Sequence, residues 1–330
     1  MANLIITTEC NAQCPFCFAR EIVHRPVRRM DLTMVERLIR FCAGERKMQL
    51  LGGEPTLHPE IGTFVELLSR QPGIETLWVV TNLMGPTPII ESLVERSRCD
   101  FLINVHGSEF VKDPELRLRF NTNLAVLRKR HYLCTLGVTL FRQRQNFDYL
   151  YSLLRADAGQ SVGTVRVSPS VPTLANEFLS GAAIGDQWLE LVRQIHRICP
   201  EIRIQNDCPV INGCMFTRAA FRELTGGVDR MCMAPCTGLD CPFDILPDGS
   251  VRFCFGMTGV AQATLPDVFA YPDIRRARHA LHMQMHHWRR TLGFKRCEHT
   301  QCRFLDCHGV CPAVLHFFNP AALPSDSHPP

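Results

Sequence analysis

From the N-terminus to about residue 200, short β-rich apolar runs alternate with longer amphipathic stretches. The runs at 3–7, 47–51, 76–81, 101–105, 134–140 and 164–168 predict strands. Between and after them, apolar residues recur at helical spacing over 33–42, 60–70, 88–96, 114–130, 147–155 and 185–198, which predicts six helices. Asp31 or Thr33 is the expected N-cap of the first. Six β-α units in a row predict a parallel sheet with helices on its outer face. A complete barrel needs eight such units. Ligands of parallel α/β folds gather at the carboxyl ends of the strands. Polar residues fall at those ends: Thr81 and Asn82 on the third, Asn104 and His106 on the fourth, Arg166 and Ser168 on the sixth. A solvated or hydrogen-bonded side chain is the plainer reading of His106, and an ion pair with a neighbouring helix is an equal reading of Arg166.

Past residue 205 the alternation gives way to cysteine, glycine and proline with few periodic runs. The pattern therefore divides the chain into a β-α region over 1–204, a cysteine-rich segment over 205–318 and a disordered tail over 319–330, where NPAALPSDSHPP has little to bury. Inside the second segment, Pro247-Asp248-Gly249 reads as a hairpin turn between two short strands, with Phe243 and Ile245 on one side and Val251 and Phe253 on the other. Further on, His282, His286 and His287 lie on a basic helical stretch near Trp288. The four-residue spacing of the first two suits a metal, but no acidic partner stands between them, and a solvated helix face is the better reading.

Nearly half of the 330 residues are hydrophobic, enough for a large core, and the net charge is +4. Lysine occurs only at Lys47, Lys112, Lys129 and Lys295, and no basic stripe interleaves with aromatics, so nucleic-acid binding is not expected. No charged leader or long apolar segment precedes the first cysteines, which predicts neither export nor a membrane span. The 17 cysteines cluster: three lie between Cys10 and Cys17 and ten between Cys208 and Cys311. Cys42, Cys99, Cys134 and Cys199 are scattered and read as buried small apolar residues. Free thiols in such numbers predict a reducing cytoplasm.

The first cluster, CNAQCPFC from Cys10 to Cys17, offers three thiolates, too few for a closed four-thiolate site. A cubane held by three cysteines leaves one iron open to a cofactor or substrate. Zinc is the competing reading, although structural zinc takes four protein ligands and catalytic zinc more usually mixes in His or carboxylate. A second motif, GGEPTLHP from Gly52, follows the apolar run Met48, Leu50, Leu51. Paired glycines after a strand let the backbone approach a ligand closely and expose its amides and carbonyls.

Together these motifs resemble the radical S-adenosylmethionine (radical SAM) enzymes, whose signature has three cysteines at this spacing, an aromatic residue before the last (here Phe16), and a glycine-glycine-glutamate motif after the second strand. The resemblance implies a partial (β/α)6 TIM-like barrel open on one side. It implies a [4Fe-4S] cluster on Cys10, Cys14 and Cys17, with S-adenosylmethionine on its open iron and against Phe16, Gly52, Gly53, Glu54, Thr81, Asn82, Asn104, Arg166 and Ser168. Leu83 stands where the family's usual glycine follows Thr-Asn. Reductive cleavage of the bound cofactor would then give a 5′-deoxyadenosyl radical that abstracts hydrogen from a substrate, the electron coming from a donor such as flavodoxin or ferredoxin.

Downstream, the hairpin and the ending CHGVCPA resemble the SPASM and twitch domains attached to many such enzymes. By that resemblance Cys236, Cys241, Cys254 and Cys311 hold an auxiliary cluster. Cys297, Cys302 and Cys307 suit a second one, either with an open iron or with a ligand from Cys208, Cys214 or Cys232. The gaps of four, four and three residues from Cys297 to Cys311 depart from the usual spacing, and zinc is the competing reading for the group. Nine residues precede Cys10, which leaves no room for a leader-gripping domain ahead of the barrel and favours a small natural-product intermediate: a sugar, aminoglycoside or nucleoside. A ribosomal peptide is the alternative substrate. A non-catalytic metal-binding or electron-transfer protein is the alternative of another class.

Overall fold

The computed structural model describes residues 1–23, 26–96, 98–105, 107, 111–157, 160–173, 175–179, 182–206, 243–257 and 263–291. His106, Cys208, Cys214, Cys232, Cys236, Cys241, Cys297, Cys302, Cys307, Cys311, the side chain of His286 and the tail over 319–330 lie outside the described residues.

Six strands and six helices alternate as the pattern predicts: β1 (Ala2–Thr7), α1 (Leu32–Phe41), β2 (Lys47–Gly52), α2 (Ile61–Ser69), β3 (Thr76–Thr81), α3 (Thr87–Arg96), β4 (Asp100–Asn104), α4 (Pro114–Lys129), β5 (Cys134–Leu140), α5 (Asp148–Asp157), β6 (Val162–Pro169) and α6 (Ala182–Ile198). Neighbours in sequence are neighbours in the sheet, all parallel, with each crossover carried by a helix. This is the α/β, TIM-like arrangement of a partial barrel. Asp31 is the N-cap of α1, its carboxylate accepting from the Met34 amide at 2.7 Å.

The sheet extends past this core on both sides. A seventh parallel strand, β7 (Arg203–Asn206), pairs with β6. At the other edge the hairpin formed by β8 (Phe243–Ile245) and β9 (Val251–Arg252) joins in, with β10 (Thr264–Leu265) beyond it. The turn is the predicted one: Gly249 adopts φ +80° and donates to the Leu246 carbonyl at 2.9 Å. β8 runs parallel to β1, with Ala2 opposite Phe243 and Leu4 opposite Ile245. β1 is therefore covered on both edges, and all six of its residues are buried.

Two apolar layers result. Ile103, Leu136, Val165 and Ile204 face the helices, where Leu38, Phe64, Leu127, Leu150 and Trp188 complete the main core. A final helix, α7 (Ile274–Thr291), adds Ile274, Ala277, Leu281 and Met285 to it. Within α7, His282 meets the edge of the Phe253 ring at 6.0 Å. Among the described residues, no helix is long and apolar enough to cross a membrane.

Candidate metal centre

The cysteine loop leaves the carboxyl end of β1 and lies across the ends of β2 and β3. Cys10, Cys14 and Cys17 are half-buried thiols outside any disulfide. Burial pushes the Cys10 thiol up to about 12, and raises Cys14 and Cys17 as well. Mutual repulsion adds to this at Cys14, which feels Cys17 and Cys10, so the loop does bring the thiols together. Among the described residues, no three His, Cys, Asp or Glu side chains converge as ligands of one ion. A cubane instead takes each thiolate at a different corner.

Gly52 and Gly53 have a geometric reason to be glycine. A Cβ on Gly52 would lie 2.3 Å from the Thr7 carbonyl oxygen. One on Gly53 would lie 2.2 Å from the Glu9 oxygen and 2.8 Å from Cys10 Cβ. The end of β2 thus lies directly against the cysteine loop. The Gly53 amide donates to Thr7 O at 2.9 Å and the Glu54 amide to Glu9 O at 2.7 Å, so these amides hold the loop.

Glu54 is 1% exposed, and its carboxylate is spent on the protein. Oε1 accepts from the Thr56 amide (3.1 Å), the Thr56 hydroxyl (2.5 Å) and the Thr81 hydroxyl (2.6 Å), and Oε2 accepts from the Asn82 amide at 2.7 Å. Burial raises its carboxyl above the usual range against the pull of these bonds. With four donors in place, the side chain braces β2 against β3. Thr81 and Asn82 belong to the same brace. Asn82 Oδ1 accepts from the Met84 amide at 2.8 Å, and its Nδ2 donates to Asn11 Oδ1 at 2.8 Å. Leu83 adopts φ +60°, the left-handed conformation expected of the glycine it replaces. Thr81 Oγ1 accepts from its amide at 2.9 Å, and Asn123 Nδ2 donates to its carbonyl at 2.9 Å.

The second half of the loop is held from β6. Asn176 Nδ2 donates to Phe16 O at 3.1 Å, the Glu177 amide donates to Pro15 O at 2.8 Å, and the Phe16 ring packs on Phe141 at 4.7 Å. Asn11, Met84, Phe141 and Asn176 were not among the expected residues. Only their positions after strand ends signalled them. The remaining candidates form one cross-strand row: Asn104 sits opposite Gly137 and Gly137 opposite Arg166, with Ser168 two residues beyond. Asn104, Arg166 and Ser168 are half-buried at the carboxyl end of the sheet. A Cβ on Gly137 would lie 2.5 Å from Asn104 Oδ1, so the Asn104 side chain lies over the glycine.

Cys254 follows β9, half-buried against the main core. Its neighbour Phe255 is 3% exposed and packs with Ile5, Ala19, Val23 and Leu51, with Cys10 and Cys17 at the rim. Phe18 stacks on Phe255 at 5.0 Å. The hairpin thus walls the cysteine loop on the side away from β3.

These features define an α/β partial barrel that carries three thiols on a loop braced at the carboxyl ends of its strands. Residues 4–130 match the Radical SAM superfamily. GTP 3′,8-cyclase of Chlorobaculum tepidum is 33% identical over 95 residues, 28% of either chain. GTP 3′,8-cyclase 1 of Pseudomonas aeruginosa is 35% identical over 84 residues, 24% of this chain and 25% of its own. The chain thus matches about a quarter of the length of these curated relatives. Among solved structures, native anSMEcpe with bound AdoMet and Cp18Cys peptide has a TM-score of 0.65 at 15% identity, covering 94% of this chain and 89% of that one. SuiB of Streptococcus suis bound to precursor peptide SuiA has a TM-score of 0.61 at 15% identity, covering 80% and 61%. At such identities the likeness is one of fold. The family implies a [4Fe-4S] cluster and S-adenosylmethionine. Three thiols brought together on one braced loop fit that cluster.

Proposed function

We propose that the chain is a radical SAM enzyme whose cluster is held by Cys10, Cys14 and Cys17. The observation that carries this is the cysteine loop itself: three thiols at the carboxyl end of β1, tied to β2 by Gly53 and Glu54 and to β3 by Asn82. Cys10, Cys14 and Cys17 would hold the cluster, which would supply the electron for reductive cleavage of S-adenosylmethionine. The chain's residues do the rest. Asn104, Arg166 and Ser168, on the row beside the loop, orient the cofactor's polar groups. Phe16, fixed by Phe141 and Asn176, closes one side, and Phe255 excludes water from the other. A flavodoxin or ferredoxin is the electron donor.

The substrate is a small natural-product intermediate of nucleoside, sugar or aminoglycoside type, as supported by sequence relatives named for a reaction of GTP. A peptide is the second reading, favoured by the peptide in a solved structure whose fold covers 94% of this chain. Cys254, one residue before the Phe255 that packs with Cys10 and Cys17, serves an auxiliary cluster that handles the substrate electron. Anaerobic reconstitution with iron and sulfide, then dithionite and S-adenosylmethionine, tests the reading by the 5′-deoxyadenosine formed. Cys14→Ala is expected to abolish it, whereas Cys254→Ala retains cleavage and loses product. Equal cleavage by the Cys14 variant and the parent overturns the assignment.

A further inference from the structure

Asn11 lies between the first two cysteines, and both ends of its carboxamide are engaged. Nδ2 donates to the Met84 carbonyl at 2.9 Å, and Oδ1 accepts from Asn82 Nδ2 at 2.8 Å. Asn82 is itself pinned by its amide to Glu54 Oε2 (2.7 Å), and Glu54 by its amide to the Glu9 carbonyl (2.7 Å). The ring closes through Glu9, Asn11, Asn82 and Glu54, so the backbone on either side of Cys10 is fixed to the ends of β2 and β3. One residue further, the Ala12 amide donates to Cys10 Sγ at 3.4 Å. Ala12 and Met84 are buried together with Val111, and Cys10 and Cys14 lie at the margin of that group. The amide-to-sulfur bond is therefore shielded from water. Hydrogen bonds to the sulfurs are among the protein's means of setting an iron-sulfur reduction potential.

We infer that Asn11 is a positioning residue for the cluster: its clamp to Asn82 and Met84 holds the Ala12 amide on the Cys10 sulfur, and the Asn82 side chain serves this clamp. The inference rests on the functional reading above. An N–H directed at a ligand sulfur favours the reduced, more negative cluster, so freeing the loop lowers the potential. Outer-sphere partners of this kind typically govern metal retention by about ten- to a hundredfold.

The test uses the full chain, reconstituted anaerobically as parent, Asn11→Ala, Asn82→Ala and the double variant. A redox titration followed by electron paramagnetic resonance is read alongside the rate of iron loss to a chelator. Asn11→Ala is expected to have a more negative midpoint than the parent and to lose iron about tenfold faster. The double variant is expected to lose iron no faster than the worse single one, because both break the same bridge. Should Asn11→Ala not fold by circular dichroism, Asn11→Ser, too short to bridge, carries the same expectation. A parental midpoint in the folded Asn11 variant, or single effects that multiply in the double, overturns the inference alone. A parent that takes up no cluster overturns the functional reading and this inference with it.

Discussion

Thr81 shows how much one hydroxyl can hold: it donates to Glu54 Oε1 and accepts from the Leu83 amide, both buried. Thr81→Val keeps the shape and strands both partners, so it is expected to cost about 1–3 kcal/mol in chemical denaturation. At Leu83 two terms oppose each other. The left-handed backbone costs about 1–2 kcal/mol, whereas removing a fully buried leucine side chain costs about 3–5 kcal/mol. Leu83→Gly should therefore destabilise despite relieving strain, and a higher melting temperature would show that strain dominates. Asp244 offers a test in pH. Burial lifts its carboxyl from 3.8 to about 7, against the pull of Asn3 Nδ2 at 2.7 Å and of Arg252. The folded chain holds this proton more tightly than the unfolded one, so the stability it carries is full below the unfolded value and is lost as pH rises toward about 7. Asp244→Asn lacks that loss, and its amide has a buried acceptor waiting in Asn3 Oδ1. The stability difference between variant and parent, measured by denaturation across pH, should shift in the variant's favour as pH rises and level off above about 7.

Among the elements, what the sequence made legible depended on the range of the contacts. The alternation of β3 and the apolar stripe of α1 depend on neighbours a few residues away, and both elements formed where periodicity placed them. β7 was missed because Arg-Ile-Gln-Asn has one apolar residue and no alternation to read. The paired glycines were legible as a demand for room. Which chain needs the room was not, because Glu9 and Cys10 reach Gly53 only once β1 and β2 pair. Gly53→Ala would put a methyl group on backbone, 2.2 Å from Glu9 O, with no flexible side chain to yield. The expected outcome is a displaced cysteine loop and little iron after reconstitution, measured by iron and sulfide content.

At the scale of the molecule, the hairpin's own pairing was legible from Pro247-Asp248-Gly249, yet its place beside β1 was not. Asn3 and Asp244 lie 241 residues apart, and no local pattern encodes their bond. A similar separation lies between the two sides of the candidate centre, Cys10 and Phe255. Loading that centre couples to folding, since ligands bound only by the native chain stabilise it. Reconstituted protein should melt at a higher temperature than the metal-free form, a chelator should reverse the gain, and Cys14→Ala should show none.

Parallel pairing of β1 with β8 also orders events during synthesis. The brace through Gly53, Glu54 and Asn82 is complete within the first quarter of the chain, whereas Phe255 emerges from the ribosome more than 150 residues later. Contacts of such separation form late. One flank of the cysteine loop is thus shaped early, and the other is completed only once Phe255 packs against it.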